Sequence, residues 1–167
     1  MNATCHVLSV GCALLLTFAS PAADDERPVK LSADEKALVD LANQERKKEK
    51  LPALTVNPVL CQVARRHTEN MARQERLSHQ LDGKSVGGRV DEAGYDYRVV
   101  RENLARADGE PDDPPPTPAE LHARWMESAG HRGNILHPRV SEIGLSILRS
   151  KKGVYFVTQV FALPRSR

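Results

Sequence analysis

Apolar positions recur along this chain with two periods, helical in its first half and strand-like near its end. Behind the capping-box pattern Ser32-Ala33-Asp34-Glu35, residues Leu38, Leu41 and Ala42 fall on one helical face. This first helix is expected to run to about Lys48, with Arg46-Lys47-Lys48-Glu49-Lys50 as its solvated end. Leu51–Val56 contains Pro52 and reads as a connector whose Leu51, Leu54 and Val56 plug into the core. Asn57-Pro58 supplies an N-cap and a first-turn proline. Leu60, Val63, Ala64, His67 and Met71 then share a face to about Arg76. Leu77–Lys84 is a loop, and Val86–Ala93 a short helix stopped by Gly94.

Tyr97–Ala105 carries Val99, Val100 and Leu104 in a strand-like run. Asp108–Pro116 is rich in proline and acids and predicts a solvent-facing loop. Thr117-Pro118-Ala119-Glu120 opens a further helix with Leu121, Trp125 and Ser128 on one side and Gly130 as its stop. Ile143, Leu145 and Ile147 alternate as a strand, Lys151-Lys152-Gly153 turns the chain, and Val154–Ala162 returns. Helices first and an antiparallel hairpin last make an α+β layout.

Composition narrows the function. The chain has 167 residues, enough for one domain with a core of its own. Its 24 basic and 22 acidic side chains nearly cancel, which argues against nucleic acid as a partner. Val7–Ser20 is uncharged and too short to span a bilayer comfortably. With Ser20-Pro21-Ala22-Ala23 behind it, it reads as a secretory signal over 1–23. A tether over 24–31 and a domain over 32–165 follow, so a secreted or periplasmic monomer without a transmembrane segment is expected. Cys12 follows Ser9-Val10-Gly11, but the apolar run continues beyond it, so no lipid anchor is expected. Loss of Cys5 and Cys12 with the signal leaves Cys61 alone, a buried small residue rather than a nucleophile.

Three polar residues sit beside apolar ones at element edges: His79, Glu102 and His131. Two imidazoles and a carboxylate are the ligand set of an open zinc site, and the same set can do acid–base work. The competing expectation is local hydrogen bonding of each His, with Glu102 paired to Arg101 or Arg106. Ser128 with His131 and Glu102 could imitate a nucleophile–base–acid triad, though no nucleophile elbow surrounds Ser128. His67, on an apolar stripe, reads as a hydrogen-bonded core residue; His122 reads as helix surface and His137 as loop.

Leu77-Ser78-His79, Ala93-Gly94-Tyr95, Glu102-Asn103-Leu104-Ala105, Trp125–Leu136, Ile143-Gly144 and Gln159-Val160-Phe161-Ala162 occur in the order of the CAP superfamily. The chain resembles the bacterial, disulfide-free branch of that superfamily over roughly 32–163. The resemblance implies a three-layer α-β-α sandwich with a small antiparallel central sheet and a cleft carrying two His and two Glu. His79, Glu102 and His131 match three of the four. Ser128 stands at the place of the second Glu, as is common in bacterial members, with Glu127 one residue short. Arg101 replaces the Gly that usually precedes the first Glu, and is expected to crowd or charge the cleft rim.

Some family members bind zinc or other divalent ions, others sterols or fatty acids. The resemblance therefore implies a cleft for a divalent cation or a small polar or lipid head-group ligand, held by His79, Glu102 and His131. Asn103 and Asn134 would order its loops. The alternatives are a hydrolase using the same cleft, metal-dependent or through Ser128, and a cell-envelope adhesion module in which the trio only closes the cleft.

Overall fold

The computed structural model describes residues 30–108 and 114–165. The expected signal, nearly all of the tether and the centre of the Pro-rich loop lie outside the described residues. The elements are α1 (Ala33–Lys48), β1 (Thr55–Val56), α2 (Pro58–Gln74), α3 (Val86–Glu92), β2 (Tyr97–Ala107), α4 (Pro118–Glu127), α5 (Ala129–Ile135), β3 (Glu142–Arg149) and β4 (Tyr155–Pro164). The sheet order is β1-β3-β4-β2. Both capping boxes form, at Ser32 with Glu35 and at Thr117 with Glu120. Asn57 caps α2 through Val59 N and Leu60 N.

The sheet is α+β in the expected sense but mixed rather than antiparallel throughout. β3, β4 and β2 are antiparallel neighbours, while the two-residue β1 runs parallel to β3. Alternation along β4 assigns its two faces. Val157 and Phe161 pack with Leu38, Val39 and Ala42 of α1, Leu121 and Trp125 of α4 and Ile135 of α5. Phe156 packs with Met71 and Leu104, and Val160 and Ala162 pack with Leu60, Val63, Ala64 and Val90. Helices α2 and α3 therefore cover one face and α1, α4 and α5 the other, each burying an apolar stripe against the strands. Among the described residues no helix is long and apolar enough to cross a membrane.

Four sequence expectations need correction. Val56 stands 37% exposed, because β1 lies at the sheet edge. Arg46 is fully buried, not solvated. Its guanidinium donates to Pro52 O, Ile135 O, His137 O and Val140 O at 2.8–3.0 Å. His122 is also buried, facing the charges of Glu45 and Lys48 on α1, and neither ring nitrogen has a partner among the described residues. Finally, α4 ends at Glu127 rather than Gly130. Ser128, in an extended conformation, accepts Arg132 N–H at 2.8 Å and starts α5 at once. Gly130 and Gly133 lie inside α5 without positive φ.

Gly144 sets how closely α2 approaches β3. A Cβ there would lie 2.0 Å from the Leu60 carbonyl carbon and 2.4 Å from Cys61 N. Gly144→Ala must push α2 off the sheet, and urea unfolding should show a loss of about 3 kcal/mol; an unchanged midpoint would contradict this contact. Arg46→Met strips donors from four carbonyls, two of them in wholly buried bonds. It should cost about 3 kcal/mol or more by the same measurement, whereas exposed-lysine changes beside it should cost little.

Candidate functional site

Strand β2 is the edge of the sheet opposite β1, and it delivers consecutive side chains to opposite faces. Glu102 points toward α2 and α3, where His67 and Arg89 meet it. Asn103 points the other way and donates to His131 O at 3.1 Å and Gln159 Oε1 at 3.3 Å. Exposed strand edges need their backbone groups satisfied. Here Trp125 Nε1 donates to Leu104 O at 3.1 Å and Asn134 Nδ2 to Glu102 O at 3.0 Å. Asn134 also donates to Asn103 Oδ1 at 2.8 Å. The α4–α5 segment is thus stitched along the β2 edge, and His131 rides on α5 beside it.

From the other face comes the loop after α2. His79 Nδ1 donates to Glu102 Oε1 at 2.8 Å. The Glu102 side chain is only 2% exposed, while that of His79 is 60% exposed. Glu102 therefore forms the floor and His79 the lip. The second carboxylate oxygen, Oε2, accepts from the Arg89 guanidinium, and His67 Nε2 lies 4.0 Å from it. Arg89 donates as well to His79 O at 3.1 Å and Lys84 O at 3.0 Å, which fixes the loop bearing His79. His67 donates its Nε2–H to Ser78 O at 2.9 Å, the core hydrogen bond expected of it.

Glu102 thus pairs with Arg89 and His79, not with Arg101 or Arg106. Arg106 turns to Asp108, and Arg101 is exposed with its charge felt at His137. Sequence reading missed Arg89. Its signal was a lone basic residue in the short α3, indistinguishable there from a surface charge. Glu127 is exposed and Ser128 half-buried at the α4–α5 junction, where its hydroxyl makes no capping bond.

The imidazoles differ electrostatically. The hydrogen bond to Glu102 raises the pKa of His79 above the usual value, against a smaller opposing effect of burial. Burial lowers that of His131, and the charge of His79 lowers it further, so the two rings feel each other across the β2 edge. Burial also lowers His67, with Glu102 pulling the other way.

As placed, this set does not fit a resident metal ion. Both Glu102 oxygens are engaged, one by an imidazole N–H and one by a guanidinium. Among the described residues no three His, Cys, Asp or Glu side chains are grouped to hold an ion.

Residues 39–161 match the sequence model of the Cysteine-rich secretory protein family, CAP. The chain belongs to the CAP family. This CAP domain is 33% identical over 126 residues to YkwD, an uncharacterized protein of Bacillus subtilis (strain 168), covering 74% of this chain and 46% of YkwD. It is 30% identical over 132 residues to the uncharacterized membrane protein YlbC of the same organism, covering 77% of this chain and 36% of YlbC. The chain spans less than half the length of either relative. Among solved structures, an outer surface protein from Borrelia burgdorferi superposes with a TM-score of 0.72 at 19% identity, over 82% of this chain and 97% of that one. An extracellular SCP-domain protein from Bacillus anthracis str. Ames gives 0.64 at 24% identity, over 77% of this chain and 40% of that one. These likenesses establish the fold, α-β-α as expected.

Opposite pKa shifts have opposite consequences for stability. His79, raised, contributes stability that is complete below its unfolded value near ~6.5 and is lost as pH rises through its folded value. His67 and His131, lowered, add nothing at high pH and destabilise as pH falls from that unfolded value toward their folded ones. A histidine NMR titration should therefore place the His79 midpoint above those of His67 and His131. In Glu102→Gln the His79 midpoint should drop; if it stays raised, Glu102 is not its cause.

Proposed function

We propose that this CAP domain is an extracytoplasmic binding module whose cleft over the β2 edge holds a small polar ligand with anionic oxygens, such as a head group. It does so without catalysing a reaction on it. The hydrogen bond from His79 Nδ1 to the buried Glu102 carries the reading. It favours the protonated form of an exposed imidazole and leaves Nε2–H as the ring donor for a ligand. His131, half-buried, would offer its ring N–H to the same ligand from α5. Asn103 supports the site by holding the His131 backbone. The extracellular likenesses and the family support a location outside the cytoplasm.

The nearness of Ser128 to His131 in the chain keeps a serine-type hydrolase as the second reading, although the carboxylate-oriented imidazole is that of His79. Ser128 is the nearest hydroxyl candidate in sequence, one helical turn before His131, and it starts the helix that carries His131. A fluorophosphonate that labels Ser128, with ester turnover lost in Ser128→Ala, would establish that reading over simple binding.

Glycerol phosphate serves as the head-group probe. Its titration should shift the His79 and His131 ring signals. His79→Ala and His131→Ala should each weaken binding about tenfold or more, the value of one charge-assisted hydrogen bond. Affinity should fall as pH rises through the His79 midpoint, because the imidazolium is lost. Ring signals unmoved at millimolar probe would sink the head-group reading.

A further inference from the structure

We infer that Arg89 is the built-in cation of this cleft: its guanidinium fills a slot on Glu102 that would otherwise take a divalent metal ion. The slot is made of oxygen. Arg89 meets Glu102 Oε2, His79 O and Lys84 O, one carboxylate and two backbone carbonyls. Oxygens of that kind are the donor set of hard divalent cations, which complete their shells with water. A buried carboxylate needs a positive partner, and the Arg89 side chain, 10% exposed, provides it permanently. No metal is then needed to balance Glu102, and an approaching ion meets both a fixed positive charge and two occupied carboxylate oxygens.

The surroundings offer an entry path. Arg89 also lines a cavity of about 330 Å³ on the α2–α3 side, together with Val63, His67, Asn70, Leu81 and Asp82. Arg89 Nε has no hydrogen-bond partner among the described residues, and neither does His67 Nδ1. Truncating Arg89 would join this cavity to Glu102 Oε2. Its wall sets Glu69, Asp82 and Glu92 against Arg66, Arg73 and Lys84, so its charges balance once Arg89 is truncated and Glu102 supplies the uncompensated negative charge. The inference concerns Glu102 and its counter-ion and holds whichever ligand the outer cleft takes.

Mn²⁺ is the probe, because its electron-spin signal counts bound ions and its relaxation effect locates them. Wild-type protein at pH 7.5 is expected to show no Mn²⁺ broadening centred on Glu102 and His79, and chelator should not change its melting temperature. Arg89→Ala should bind one Mn²⁺ at least tenfold more tightly than wild type, with broadening at those residues. Adding Glu102→Gln should abolish the gain. Arg89→Gln, whose amide can still reach the loop carbonyls, replaces Arg89→Ala if the latter loses its near-ultraviolet dichroism. Arg89→Lys, which keeps the charge, should remain as blind to Mn²⁺ as wild type. Wild-type binding at Glu102 as tight as in the variants would overturn the inference, as would a folded Arg89→Ala or Arg89→Gln with no gain. Failure of glycerol phosphate to bind leaves these outcomes unaltered, so the two readings are separable.

Discussion

A carboxylate buried on an edge strand must have its charge answered, and the way Glu102 is answered organises this half of the molecule. Water cannot do it, because the side chain is almost wholly covered. Arg89 reaches it from α3 and His79 from the loop after α2, and each brings its own segment with it. The backbone of the same residue is held from the other side by Asn134. One residue on β2 therefore joins both helical layers. The imidazole of His79 is exposed yet fixed, because its orientation is determined by a group that cannot move.

The helices and hairpin were legible in the sequence because capping boxes, a first-turn proline and clear alternation are local signals. Ser32, Asn57 and Thr117 start helices where the pattern places them. The pairing of β1 was not legible, since two residues carry no periodicity. Arg46 was misread although the pattern held the clue. It follows Leu38 and Ala42 at intervals of four, on the buried face, but a basic residue in a run of basic residues looks solvated. His122 was misread for a similar reason: the α1–α4 packing that buries it is a tertiary fact.

At the site, the resemblance put forward His79, Glu102, Asn103 and His131 as candidates. The sequence left a shared divalent cation, a head-group ligand and acid–base work open for His79, Glu102 and His131. The structure gives them separate duties. Glu102 serves His79 directly, Asn103 serves the backbone of His131, and the two imidazoles interact through charge rather than through a common carboxylate. Arg89 could not be found without coordinates, because its significance lies in contacts 5 to 13 residues away across a loop and a strand.

The buried Arg46 has a consequence for how the cleft comes apart. Its guanidinium gathers the carbonyl at the end of α5, two from the segment before β3 and one from the connector before β1. A seven-residue helix such as α5 would ordinarily fray on its own, since so short a helix has little intrinsic stability. Here it cannot loosen at that end without leaving a cation stranded among the core residues of α1. The segment that carries His131 is thereby enrolled in the cooperative unit of the first helix, so the His131 side of the β2 edge shares the protection of the core instead of opening as an independent flap.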